Sequence, residues 1–343
     1  MRLPVVPPFP PMEAETAAQI PQQDGWQYEP KWDGFRCLAF RDGDELELES
    51  KATQSLSRYF PEVVDALHHL TARQFVLDGE LIVPIGDTLS FDSLLQRIHP
   101  AASRVQKLSR ETPALLLVFD LLVDAGGEPL MERPLSERRA ALEAFAAQYL
   151  DGNKSLRLSP ATKNVDEARR WFKTMGGGLD GIIAKRLDAS YDAGERSPAM
   201  LKIKDHRTAD CVVGGFRYST KGKVVGSLLL GLYDEAGKLN HVGFTSGIPQ
   251  VERPELTARL ENLIEPPGFT GNVPGGPSRW SRGRSTEWQP LRNDLVVEVE
   301  YDHFSGGRFR HGTRLLRWRP DKSPRQCTIH QVERESRTPL GLL

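Results

Sequence analysis

The sequence has no apolar run of about 18 residues, the length a membrane helix needs, so no bilayer-spanning helix is expected. Cysteine is scarce. Cys37, Cys211 and Cys327 are the only three, far apart and without the paired spacing of a zinc site. Scattered thiols in odd number exclude a disulfide-framed secreted scaffold and predict small core residues in a reducing cytoplasm. The opening MRLPVVPPFPPMEAE carries one basic residue and a proline-broken apolar stretch, unlike a secretory signal. No internal repeat is present, which excludes a solenoid. Net charge is nearly absent, −1 at pH 7, so avid nonspecific coating of a polyanion is not expected.

What is present suffices for two domains: 343 residues, 39% hydrophobic and 27% charged. The neutral average hides an asymmetry. Residues 1–207 hold 26 Lys and Arg against 31 Asp and Glu, whereas residues 208–343 hold 19 against 15. His303 to Arg325 carries seven basic residues and one acid, either a solvated strand face or a phosphate-binding surface. After a proline- and glutamine-rich arm of 25 residues, strands are expected around Tyr28, Trp32 and Cys37–Phe40, with an Asp-Gly hairpin at Arg41–Glu45. FVLDGELIVP and PALLLVFDLLV read as strands, and Pro61–Leu70, the segment from Phe91, Leu135–Tyr149 and Val165–Met175 as helices. GGGLDGIIAKR and PAMLKIK add strands. Past His206 the pattern becomes strand, glycine-rich turn, strand. One helix at Pro254–Leu263 follows, then a loop containing PGGPSRWSRGRS (Pro274–Ser285) and two further strands. Five strands and a helix in about 130 residues predict a small Greek-key barrel. The expected organisation is α+β, with domains at 1–206 and 207–343.

The sharpest local signal is Lys31-Trp32-Asp33-Gly34-Phe35-Arg36. A nucleophilic lysine must shed its proton, yet free lysine has a pKa of about 10.4 and is neutral in only about one copy in 2,500 at pH 7. Bringing that pKa to 7 takes about 4.6 kcal/mol of bias against the ammonium form. One positive charge at about 5 Å supplies roughly 3 kcal/mol and a divalent ion roughly 6–7. Carboxylates able to hold such an ion are therefore the next thing to seek. Asp78-Gly79-Glu80 and Asp180-Gly181 fit, each alone being equally readable as a turn. Lys202 and Lys204 alternate onto one strand face, which is unfavourable unless an anion lies between them. Phe119 fits either a core position or a platform for a base.

These motifs, in this order, resemble those of ATP-dependent DNA ligases of the compact bacterial, ligase C-like kind, within the nucleotidyltransferase superfamily. EPKWDGFR is similar to motif I, SKATQSLSRYFPE to motif Ia, LDGELIV to motif III and VFDLL to motif IIIa. LDGIIAKR resembles motif IV, ERSPAMLKIK motif V and RLLRWRPDK motif VI. The resemblance runs from about Gly25 to Cys327. It implies an adenylation domain of antiparallel sheets with helices, followed by an OB-fold barrel. Lys31 would be adenylated by ATP, with Glu29 at the adenine edge and Phe119 and Ile183 on the ring faces. Arg36 and Glu80 would contact ribose, Arg36 also lying near the nick. Arg196 and Lys202, with Lys204 beside them, would hold phosphate. Asp180, where many relatives carry glutamate, and Glu80 would bind Mg²⁺ or Mn²⁺. Lys51 stands where motif Ia usually has arginine, keeping the charge but losing the bidentate fork. Arg314, Arg317, Arg319, Asp321 and Lys322 would serve adenylation from the barrel, which is expected to swing about Asp205–Ala209.

The implied activity is sealing of 5′-phosphate/3′-hydroxyl nicks in duplex DNA through a lysyl-AMP and a DNA-adenylate. The setting would be DNA repair or recombination, in a bacterial cytoplasm near the nucleoid, with unidentified repair proteins as partners. An RNA ligase or capping enzyme shares the lysine motif, and an OB-fold binding protein with a decayed catalytic domain shares the architecture. The WRPDK ending favours DNA ligase over the first, and intact Lys31, Glu80 and Lys202 oppose the second. The Pro274–Ser285 loop is expected to touch phosphate backbone or to be a solvent loop.

Overall fold

A computed structural model describes the chain except residues 175–178, 221, 276–286 and 334–338, so most of the Pro274–Ser285 loop lies outside the described residues. Two compact units emerge, Met1–Lys204 with Ser336–Leu343, and Asp205–Glu335.

The first unit holds β1 (Glu13–Thr16), β2 (Trp26–Lys31), β3 (Phe35–Asp42), β4 (Glu45–Ser50), α1 (Pro61–His68), β5 (Gln74–Ile82), α2 (Phe91–Arg97) and α3 (Ala102–Glu111). It continues with β6 (Leu115–Val123), α4 (Leu135–Tyr149), β7 (Leu156–Leu158), α5 (Val165–Thr174), β8 (Gly181–Arg186) and β9 (Arg196–Ile203). One sheet runs β4-β3-β5-β6-β7 and the other β1-β9-β8-β2. Strand periodicity explains the layering. Cys37 and Ala39 of β3 face a core with Val63, Leu67 and Leu142 of the helices, while Leu38 and Phe40 face a second core with Met200 of the other sheet and Met12, just ahead of β1. The far side of that second sheet, at Tyr28, Ile182 and Ala184, packs on Ala168 and Trp171 of α5. The strand expected within Pro113–Val123 forms at Leu115–Val123 and is buried along its whole length, its one charged residue, Asp120, being paired with Arg138 at 2.9 Å.

Two differences from the sequence reading have local causes. The N-terminal arm contains a strand midway, because β1 pairs in parallel with β9 and Met12 enters the core between the sheets. Trp32 lies just beyond β2 rather than within it, buried, with its Nε1 donating to Ser159 Oγ at 2.8 Å. Leu340, Leu342 and Leu343 at the chain's end pack on the Trp32, Ile82 and Leu179 cluster.

The second unit is a sheet ordered β12 (Leu239–Thr245), β11 (Val225–Tyr233), β10 (Arg207–Tyr218), β13 (Val296–Tyr301) and β14 (Arg314–Trp318), with α6 (Arg253–Glu261) across it. Its edges meet. Thr245 of β12 bridges Thr313 beside β14, its Oγ1 donating to the Thr313 carbonyl at 2.9 Å. Closure removes the exposed edges and encloses a core that includes Cys211, Val213, Leu230 and Val299. This is the OB-type barrel following a nucleotidyltransferase-type domain.

Candidate functional site

Lys31 ends β2 and faces Gly181 across the antiparallel β2–β8 pair. That pairing brings Asp180 to the lysine. The Asp180 backbone N–H donates to the Lys31 carbonyl at 2.8 Å, and Lys31 Nζ donates to Asp180 Oδ2 at 2.5 Å. The glycines around them are sterically required. Gly181 adopts φ +137°, and a Cβ there would lie 2.0 Å from the Ile203 carbonyl oxygen. A Cβ on Gly34 would lie 2.1 Å from the Leu81 carbonyl oxygen.

Lys31 opens onto a cavity of about 300 Å³. Glu29, Arg36, Lys51 and Glu80 line it, as do Phe119, Ile183, Lys202 and Lys204. Arg196 is joined to this group through Glu13, and Asp180 through Lys31. The sequence-predicted residues of the first unit are thus assembled at one place. The apolar Phe119 and Ile183 share the wall with a concentration of cations, which suits a ligand with a flat ring and an anionic tail.

The electrostatics are uneven. Burial, then the nearby Arg196, Lys51, Lys31 and Lys204, pull the Lys202 ammonium below its usual pKa, so this group gains from any anion placed beside it. Glu80 is pushed up to about 7 by its burial, with Asp33 and Asp78 adding to the rise while Lys31 and Arg36 oppose it. Glu29 is held from both sides, accepting from Gln27 Nε2 at 2.9 Å and pairing with Lys185 Nζ at 2.8 Å, with acceptor capacity left on each oxygen.

The structure gives Asp78, read from the sequence as a carboxylate able to hold a divalent ion, a different role, and adds Tyr191, Lys185 and Glu13, which the sequence did not single out. Arg36 spends Nε and Nη2 on the two oxygens of Asp78, each at 2.5 Å, and Tyr191 Oη donates to the same carboxylate at 2.6 Å. Burial works against the Arg36 charge, but Asp78 outweighs it and holds the guanidinium above its usual range. Asp78 therefore positions Arg36. The Arg36 guanidinium lies 4.7 Å and the Lys185 ammonium 4.6 Å from the Phe119 ring centre. Strand alternation was the available signal for Lys185, two residues after Ile183 on the same face of β8. Glu13 had none, because its placement depends on β1 joining β9.

Arg314, Arg317, Arg319, Asp321 and Lys322 belong to the second unit, where all five are ion-paired. Arg314 meets Glu300 at 2.8 Å and Arg317 meets Glu298 at 2.5 Å. Arg319 lies 2.9 Å from both Asp210 and Asp321, and Lys322 lies 3.0 Å from Asp210.

Among known proteins, the chain is similar to DNA ligases. A family model described as ATP dependent DNA ligase domain matches residues 11–204, and one described as ATP dependent DNA ligase C terminal region matches 221–322. DNA ligase C2 of Mycolicibacterium smegmatis is 44% identical over 349 residues, spanning 97% of this chain and 96% of the relative. DNA ligase C of Mycobacterium tuberculosis is also 44% identical, over the same shares of the two chains. A solved structure of a Lig E DNA ligase, 16% identical, covers 90% of this chain and 99% of its own with a TM-score of 0.57, a likeness of fold alone.

Proposed function

The chain belongs to the ATP-dependent DNA ligase family, and on that premise we propose that the cavity at the end of β2 is where Lys31 takes AMP from ATP. The Lys31 amine attacks the α-phosphorus, the bond to the β-phosphate oxygen breaks, and pyrophosphate leaves. The amine loses its proton and a P–N bond to AMP remains. AMP then passes to the 5′-phosphate at a nick in duplex DNA, freeing Lys31. Finally the 3′-hydroxyl attacks that phosphate, AMP departs and the strand is closed. Each step builds charge on phosphate oxygens, which fixed cations stabilise without reorganising.

The observation that carries the reading is the union, in one cavity, of apolar Phe119 and Ile183 with Lys31, Lys202 and Lys204. Phe119 and Ile183 would take the adenine faces, and Glu29 its edge. Arg36 would reach the ribose from its remaining nitrogen, with Glu80 beside it. Lys51, Arg196, Lys202 and Lys204 would take the phosphates. Arg314, Arg317, Arg319, Asp321 and Lys322 would assist adenylation from the barrel.

Mg²⁺ or Mn²⁺ fits the donors present. Glu80 and Asp180 offer hard carboxylate oxygens, and a cation would favour the ionised form that burial resists in Glu80. Among the described residues no cluster of three acidic, His or Cys side chains stands ready for a metal, so these two would hold the ion together with phosphate oxygens. The ion would neutralise charge on the phosphates. DNA repair is the proposed setting, with DNA recognised by shape and phosphates.

The test is incubation with α-labelled ATP and Mg²⁺, comparing the native chain with Lys31→Ala. The native chain gains the mass of one AMP at Lys31 and the variant gains none. Label at another residue, or transfer from GTP in place of ATP, sinks the assignment. Nicked DNA and nicked RNA supplied side by side decide the polymer.

A further inference from the structure

Glu13 lies on the arm that the sequence presented as a mere extension, yet it lines the cavity beside Lys31 and Lys202. Its Oε2 is 2.9 Å from Lys51 Nζ and 3.0 Å from Arg196 Nη2. One oxygen between two cations contributed by different parts of the chain is the contact a phosphate oxygen makes. The backbone already fastens the arm without this carboxylate. Glu13 N–H donates to the Glu195 carbonyl at 2.7 Å, Ala17 N–H to the Lys202 carbonyl at 3.0 Å, and Met12 N–H to Tyr191 Oη at 3.1 Å. Met12 is buried between the sheets. The side chain is therefore in excess of what anchoring needs.

We propose that Glu13 is an internal competitor for a phosphate subsite formed by Lys51 and Arg196, and that it sets the affinity of that subsite by having to be displaced. The proposal rests on the functional reading of the cavity given above. Displacement is feasible because Lys51 and Arg196 are more than half exposed, at 56% and 59%, and exposed ion pairs are weak. A phosphate carries more charge and more acceptor oxygens than a carboxylate, so it wins the two cations while Glu13 reduces its margin. Lys51 and Arg196 hold the Glu13 carboxyl below its usual range, which keeps the competitor charged at neutral pH. The phosphate has two sources, the polyphosphate of ATP and the 5′-phosphate of a DNA end.

The experiment compares native protein with Glu13→Gln, which keeps the shape and removes the charge. Binding of inorganic pyrophosphate is measured by calorimetry, and the ATP concentration for half-maximal lysyl-AMP formation is measured in parallel. A third arm measures binding of nicked duplex bearing 5′-phosphate or 5′-hydroxyl. Glu13→Gln is expected to bind phosphate about three- to tenfold tighter. A gain with pyrophosphate and ATP assigns the subsite to the nucleotide. A gain confined to the 5′-phosphate nick assigns it to DNA. In a Lys51→Met background the gain should disappear, a coupling that a fold-anchoring role does not produce. Unchanged or weaker binding in all arms overturns the proposal, the weaker result marking Glu13 as an anchor for the two cations. If native protein never acquires AMP, the reading of the cavity fails, and the pyrophosphate arm still decides the role of Glu13.

Discussion

Asp180 and Lys31 meet at 2.5 Å although 149 positions separate them in sequence. Both stand where β2 and β8 end side by side, so sheet register, rather than a loop, fixes their distance. A donor bound to Asp180 must leave it before its lone pair can reach phosphorus, and the carboxylate then remains beside the reacting amine. Replacing Asp180 with Asn keeps the shape and removes the charge. Lysyl-AMP formation is expected to slow by about 10²-fold, measured in single turnover with α-labelled ATP. A rate within about twofold of native would show that the carboxylate charge is irrelevant to the step.

The Arg36–Asp78 pair predicts a loss of stability. Asp78 is fully buried and Arg36 largely so. Asp78→Ala strands the guanidinium without its partner, at a cost of about 3–5 kcal/mol in chemical denaturation. Tyr191→Phe removes only the hydroxyl donor to Asp78 and should cost about 1 kcal/mol. Equal effects from the two variants would contradict this account.

For the barrel cations, the expectation concerns selectivity between steps. Arg317→Ala or Lys322→Ala should slow lysyl-AMP formation by about 10²-fold while sparing the sealing of a pre-adenylated nick. Arg317 is 63% exposed, so its removal should leave the melting temperature almost unmoved. Parallel losses in both reactions would remove the adenylation role.

Glu80 predicts a pH dependence. Its folded pKa, about 7, lies above the unfolded value near 4.5. The folded state therefore holds the proton more tightly. Its contribution to stability is fully present below about pH 4.5 and is lost as pH rises through 7. Glu80→Gln should flatten the stability curve of the first unit over that window, read by denaturation at fixed pH values. An unchanged slope would mean that another group titrates there.

Much of this architecture was legible in the chain. The helix at Leu135–Tyr149 buries Leu135, Leu142 and Phe145 on one face, and the strand at Leu115–Val123 follows a run that is apolar except for Asp120. Lys31, Glu80, Phe119 and Lys202 were named from short motifs in a recognisable order and from the resemblance those motifs carry, and all four line one cavity. The roles of Asp78, which had been read as a possible metal ligand, and of Tyr191 and Glu13 were hidden for one physical reason. Their roles come from pairing across strands far apart in sequence, and no local pattern reports which carboxylate will face which cation. Asp78 in particular read as one more acid beside a glycine, whereas the β3–β5 register sets Glu80 opposite Arg36 and leaves Asp78 on the diagonal, where its carboxylate meets the guanidinium.

The last residues of the chain belong to the first unit, with Leu340 and Leu343 against the Trp32 cluster, so in sequence the barrel is inserted within one body. A peptide bond cut at either crossing would still leave the halves joined by the other.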